Sequence, residues 1–340
     1  MNPPPSSPSG SSRSAAWALG GALGGVVIGC ALPVFACLLL VVVGISGLSA
    51  TAGTAATAAP LDSISAVYVS GPRTGPAVAV IDVAGQITAG DAENPILGAT
   101  GDAASGPIVR AIQAAARNPD VKVILLRIDS PGGSVIGSDE IYHALRQSGK
   151  PVVAQMRSLA ASGGYYVAMG ADHIVAHPDT LTGSIGVISE FTNYEGLYEK
   201  LGIRSRIVKS GENKDFGAPT VPFTAADEKL WQAVIDEAYD NFVRIIAERR
   251  ALPLDKVREL ADGRVYTGRQ AAALKLIDSL GYYEDALTEA AARGGIEGEP
   301  RVLQFRPRST WSELLSSSMA RALQQSLGLP AQRAAGLEYR

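Results

Sequence analysis

The sequence predicts an α/β protein, a parallel sheet covered on both faces by helices and preceded by one membrane-spanning helix. Three observations lead there. Short, continuous apolar runs alternate with helical patterns between residues 77 and 176, the rhythm of βαβ units whose strands are buried on both faces. A stretch without charge runs from Ala15 to Ala50, and about 20 apolar residues suffice to cross a bilayer as a helix. The 340-residue chain is 46% apolar and 19% charged, with a mean hydropathy of +0.13, so it can bury a sizeable core.

Taken in order, residues 1–14 (MNPPPSSPSGSSRS) offer nothing to bury and read as disordered. Residues 15–50 read as a transmembrane anchor. Their densest part, Val26 to Leu48, exceeds the roughly 7–15 apolar residues of a cleaved signal peptide. Arg13 precedes the span and the next base is Arg73, so the positive-inside rule places the N-terminus in the cytoplasm and the bulk of the chain outside. Residues 51–75, rich in Ala, Thr, Ser and Gly, read as a linker. The main domain is expected over 76–290. Its strands are Ala77–Val83, Val121–Ile128, Pro151–Met156 and His173–Ala176; its helices are Ile108–Arg117, Ser138–Gln147 and Ser162–Met169. Thr224, with Asp227 three residues on, caps a long helix reaching Arg249–Arg250. Its apolar stripe of Trp231, Val234, Ile235, Ala238, Phe242 and Ile245 reads as core or subunit contact. Residues 291–340 are expected to form a C-terminal extension of one strand, Val302–Phe305, plus a helix.

Composition removes several function classes. Beyond residue 50 the chain carries 29 basic and 33 acidic residues, so no basic stripe is expected to neutralise nucleic-acid phosphates. Both cysteines, Cys30 and Cys37, fall in the apolar stretch, which leaves the rest without a disulfide framework or a cysteine zinc site. His143, His173 and His177 are too few and too poorly spaced for a metal cluster.

Three segments have glycines and hydroxyls at odds with simple packing. Asp129-Ser130-Pro131-Gly132-Gly133-Ser134 follows a strand, and its glycines allow a sharp turn that exposes backbone N–H groups; an ordinary βα turn has the same look. In Ser158–Tyr166 (SLAASGGYY), small residues surround Ser162 at a loop-to-helix entry. A nucleophilic serine needs that uncluttered setting beside helix N-terminal amides, and so does an N-capping serine. The third segment, Lys209–Asp215 (KSGENKD), is polar. No histidine occupies a site-like context, so a Ser–His–Asp triad would have to be assembled from unpromising parts; a lysine can serve instead when burial leaves it neutral. By itself Lys214 reads as a solvated loop charge.

Together LRIDSPGGS at 126–134, MRSLAASGGYY at 156–166, LTGSIGVI at 181–188, KSGENKD at 209–215 and GRVYTGRQA at 263–271 resemble, in content and order, the signal peptide peptidase SppA family. These are membrane-anchored Ser–Lys proteases with the ClpP/crotonase fold, a superhelix of repeated ββα units. The likeness covers roughly residues 76–285. It implies Ser162 as nucleophile, Lys214 as general base, Ser184 as the hydroxyl that positions the lysine, and the amides of Gly133 and Gly163 as the oxyanion hole. It implies signal-peptide remnants as substrates, no metal or cofactor, and a short-form homo-octamer whose neighbouring subunits share each Ser–Lys pair. Asp129 departs from the commoner Asn before SPGG. Two rival functions share the fold: a crotonase-like acyl-CoA enzyme, and a non-catalytic membrane scaffold.

Overall fold

The computed structural model describes residues 63–91 and 102–308, together with the backbone of Glu338–Tyr339. The expected disordered N-terminus, the anchor, most of the linker and the C-terminal helix lie outside the described residues. Among the described residues no helix is long and apolar enough to cross a membrane.

The elements run β1 (Ile64–Ser70), β2 (Ala77–Ala84), β3 (Ile87–Thr88), β4 (Ala103–Ala104), α1 (Ser105–Arg117), β5 (Val121–Ser130), β6 (Gly133–Ser134) and α2 (Val135–Gln147). There follow β7 (Val152–Ala161), α3 (Gly163–Ala168), β8 (His173–Ala176), β9 (Leu181–Gly183) and α4 (Glu195–Lys200), then a 3₁₀ turn at Glu212–Asp215 and the long α5 (Ala225–Arg250). The chain continues through α6 (Leu254–Leu260), β10 (Val265–Thr267), α7 (Gly268–Ala273), β11 (Ser279–Leu280), α8 (Tyr283–Arg293), β12 (Arg301–Pro307) and β13 (Glu338–Tyr339). The main sheet has the order β1-β12-β2-β5-β7-β8-β11, and β9 and β10 extend it beside β7. From β12 to β11 every neighbouring pair is parallel. A second, smaller sheet has the order β13-β6-β3-β4.

The central strands are apolar on both faces because both faces are covered. In β2, Ala77, Ala79 and Ile81 join the larger core cluster, which also holds Ile112 of α1, Ile141 of α2 and Val167 of α3. The alternate residues Val78 and Val80 pack with Val123, Leu125 and Val153 against Ala286 and Ala290 of α8. Period-two alternation thus splits one apolar run between two helical layers.

Three expectations change. The segment read as a linker contains β1, which pairs antiparallel with β12 from Ile64↔Pro307 onward; its partner lies far away in sequence, so local composition could not reveal it. The third strand does not stop at Met156 but runs to Ala161. The long helix has its Thr224–Asp227 capping box as expected, but only Phe242, Val243, Ile245 and Ile246 are buried. Of the stripe read as core or subunit contact, Phe242 and Ile245 are core, whereas Val234 is exposed.

Candidate active site

The site forms where β7 hands over to α3. Opposite Ile128 and Ser130 of β5, the partner residues on β7 are Met156 and Ala160. Arg157–Leu159 therefore bulge, and such a bulge bends its strand. Asp129 holds it in place: its Oδ1 accepts the Leu159 N–H at 3.1 Å, and Arg157 lies 3.7 Å from Oδ2. An asparagine carbonyl could accept that N–H equally well, which accounts for the tolerated departure at this position.

Beyond the bulge the backbone turns at Ser162, with φ 54° and ψ −118°. Positive φ is costly for a residue with a Cβ, and it persists only where the surroundings hold it. Here the Ser162 N–H donates to the Gly183 carbonyl at 2.7 Å, and the Ser162 carbonyl accepts from Tyr166 N–H at 2.9 Å. Ser162 occupies the N-cap position of α3 yet makes no capping bond. Its Oγ is fully buried and has no hydrogen-bond partner among the described residues. That separates the two readings left open by the sequence. A capping serine exists to satisfy a helix N–H; a buried hydroxyl without a partner is the kind of exception that calls for a chemical reason.

Both proposed oxyanion glycines lie beside it. A Cβ on Gly163 would fall 3.2 Å from Gly133 N and 2.5 Å from Ser138 Oγ. Gly133, at φ 146°, has its missing Cβ aimed into the Ile87 backbone, so no other residue fits there. The Ile87 N–H donates to the Gly132 carbonyl at 2.8 Å. Successive peptide groups along a strand point to opposite edges, so the Gly133 N–H is turned away from β3.

Ser184 follows Gly183, the residue that binds the Ser162 N–H, and it too has positive φ, 47°. Its own N–H donates to the Arg264 carbonyl at 2.8 Å. The GRVYTG segment supports this strand from behind: β10 pairs with β9, Val265 opposite Gly183, and the Tyr266 ring packs where a Gly183 side chain would stand. The structure thus brings Ser162, Gly133, Gly163 and Ser184 together. It leaves Lys214 apart, exposed on the 3₁₀ turn and not bonded to Ser162. Of the two lysines in KSGENKD, Lys209 is engaged by Asp215 at 2.6 Å and by the Glu212 carbonyl at 2.7 Å. Lys214 pairs with no acid among the described residues. The surrounding arm carries a cluster of Phe191, Phe216, Phe223 and Trp231.

The histidines serve elsewhere. His173 Nε2 lies 3.0 Å from Ser279 Oγ and its Nδ1 3.1 Å from Arg293. His177 Nδ1 accepts the Asp179 N–H at 3.1 Å.

Sequence reasoning missed what the paired tyrosines do. Both are fully buried and anchor the short α3 to different neighbours. The Tyr165 hydroxyl donates to the Leu276 carbonyl at 2.7 Å, and burial pushes its phenol well above the ordinary range. The Tyr166 hydroxyl donates to Asp139 at 2.6 Å and accepts from Asn241 at 3.2 Å. Two adjacent tyrosines in a helix of small residues were the available signal, since a buried phenol needs a polar partner. Tyr165→Phe should lower stability by about 1–3 kcal/mol, because it leaves a buried carbonyl without its donor. Denaturant unfolding checks this, and an unchanged midpoint would deny Tyr165 the anchoring role.

A fully buried serine hydroxyl that makes no capping bond, in a held strand-to-helix turn with glycine backbone beside it, is a setting that a serine nucleophile on an α/β sheet requires. The family model described as peptidase family S49 matches residues 144–297, and the Clp protease model matches 96–180. A Synechocystis sp. protein named as a protease, slr0021, is 46% identical over 51% of this chain and 64% of its own length. An Enterococcus faecium protein named as a signal peptide peptidase SppA is 44% identical over 49% of each chain. The chloroplastic serine protease SPPA of Arabidopsis thaliana is 37% identical over 57% of this chain and 30% of its own. This chain therefore spans less than two thirds of each of these relatives. Over these residues it is similar to serine proteases of the SppA and Protease 4 kind, peptidase family S49.

Proposed function

We propose that the protein is a membrane-anchored serine endopeptidase that uses Ser162 and Lys214 to hydrolyse peptide bonds, degrading signal-peptide remnants at the outer side of the cell membrane. The observation that carries this reading is the Ser162 hydroxyl, fully buried at φ 54° with no capping bond. Ser162 Oγ attacks the scissile carbonyl and its proton passes to neutral Lys214. The amides of Gly133 and Gly163 hold the oxyanion. Lys214 then gives the proton to the leaving amine, which departs as the acyl-enzyme forms. A water, deprotonated by Lys214, hydrolyses the ester and Ser162 recovers its proton. No metal or cofactor enters the scheme.

A lysine acts as a base only when desolvated, and Lys214 is exposed in the single chain. This favours a homo-oligomer, an octamer by family resemblance, in which a neighbour's serine meets and covers Lys214. Exposed apolar residues on the same arm and on α5, among them Leu201, Val208 and Val234, support such an interface. The fold reading goes with it. A long strand, then short strand pairing and a helix, occur as β2-β3-β4-α1, with two short strands, and as β5-β6-α2, with one, in keeping with a ββα superhelix. The charge-free stretch at 15–50 supports the anchor, and Arg13 supports a cytoplasmic N-terminus with the catalytic domain outside.

A fluorophosphonate probe, which phosphonylates activated serines, tests the site against an acyl-CoA enzyme. Mass mapping should place the label on Ser162. Absence of label at Ser162, with other serines reacting, would remove the nucleophile from this reading.

A further inference from the structure

Strand β7 changes partners just before the candidate nucleophile. Up to Met156 its neighbour is β8, with Met156 opposite Ala176; from Leu159 it is β9, with Leu159 opposite Leu181. Arg157 and Ser158 fall in the gap and pair with neither strand. Around this gap the hydroxyls of two buried threonines bond the β7 carbonyls. Thr180 donates to the Arg157 carbonyl at 2.5 Å, and Thr182 donates to the Ala160 carbonyl at 2.7 Å. Buried carbonyls need such partners. The residue after Thr182, Gly183, accepts the Ser162 N–H at 2.7 Å. The dipeptide Thr182–Gly183 therefore grips the peptide groups on both sides of Ala161, one through its carbonyl end and the other through its N–H end.

From this grip we infer that Thr182 is a positioning residue for the reaction: its hydroxyl fixes the peptide leading into Ser162 and so keeps that serine at its φ of 54°. The inference rests on the proposed peptidase reading and adds to it a residue outside the reacting groups. Positive φ at a residue with a Cβ relaxes unless its surroundings hold it. The bonds to Gly183 and Tyr166 hold the serine itself; the Thr182 bond holds the chain that enters it. Without the hydroxyl, the buried Ala160 carbonyl loses that donor and its peptide is free to turn toward another. A displacement of about 1 Å at a reacting atom lowers a rate by about 10²-fold. The bond exists before substrate arrives and aligns only the attacking residue, so its loss should fall on kcat and leave KM unchanged.

The test measures three quantities on the full chain: kcat and KM for a fluorogenic peptide, the rate at which a fluorophosphonate labels Ser162, and amide hydrogen exchange over residues 160–164. Thr182→Val keeps the shape and loses the donor, and Thr182→Ala takes its place should the valine variant not fold. Thr182→Ser keeps the donor. In the valine variant kcat and the labelling rate should both fall about 10²-fold, with KM unchanged and exchange faster. Serine should restore both rates and slow exchange, which a role of the threonine methyl in packing would not produce. Wild-type kcat without the hydroxyl overturns the inference, as does a loss that serine fails to restore or one that falls on KM. If the wild-type chain neither hydrolyses peptide nor takes label at Ser162, the peptidase reading falls and the catalytic role of Thr182 falls with it. Exchange then judges the grip by itself: faster in the valine than in the serine variant, the hydroxyl holds the turn; equal in both, it does not.

Discussion

Ser162→Ala should abolish peptidase activity, lowering kcat/KM at least ~10³-fold, while sizing and thermal unfolding should stay close to wild type. The size follows from the role, since removing the atom that forms the acyl bond leaves only binding and oxyanion stabilisation. The mild structural effect follows from the site. The Oγ has no hydrogen-bond partner to lose among the described residues, and trading a hydroxyl for hydrogen leaves little cavity at a residue already surrounded by small ones. Alanine also retains the strained φ of 54°, so no strain is released or added. The measurement is a fluorogenic-peptide progress curve on purified full chain, with circular dichroism and sizing in parallel. Activity near wild type in the folded variant would sink the nucleophile assignment.

Mixing two dead variants should restore activity. Lys214→Ala removes the base, and Lys214→Arg should be equally inactive because a guanidinium does not deprotonate in proteins. Lys214 is exposed and unbonded to Ser162 within the chain, so the pair is expected to form across a subunit boundary. A head-to-tail interface of that kind forms a ring where its rotation closes. Co-expressed Ser162→Ala and Lys214→Ala chains then yield a working site wherever a subunit retaining Ser162 meets a neighbour retaining Lys214. For random mixing of equal amounts, about a quarter of the sites function. The readout is the peptidase rate of a size-selected, doubly affinity-tagged oligomer against wild type. A rate no higher than either single variant, in proven mixed assemblies, would place both residues in one chain.

Much of this molecule was legible in its residue pattern. The runs AVAVIDV, VKVILLRI and HIVA are strands in the structure because parallel strands buried on both faces must be apolar almost throughout. The Thr224–Asp227 box started its helix where expected because capping is local chemistry between residues three apart. The small residues around Ser162 likewise advertised a turn where nothing crowds a hydroxyl. What the sequence left open was any decision that depends on a distant partner. β1 is a strand because β12, more than 200 residues later, pairs with it, and the same holds for β13 on β6. The first half of α5 has the periodicity of a buried helix, yet among the described residues Val234 stays exposed and Trp231 meets only the small cluster of Phe191, Phe216 and Phe223. Whether Ser162 caps α3 could not be read from its neighbours either, since the answer lies in where the Gly183 carbonyl and the Gly133 loop stand around it. Local propensity and hydrophobic period are properties of a segment and can be read along the chain. Strand pairing, burial of a hydroxyl and the approach of two glycine amides are properties of contacts between segments, and only the folded arrangement decides them.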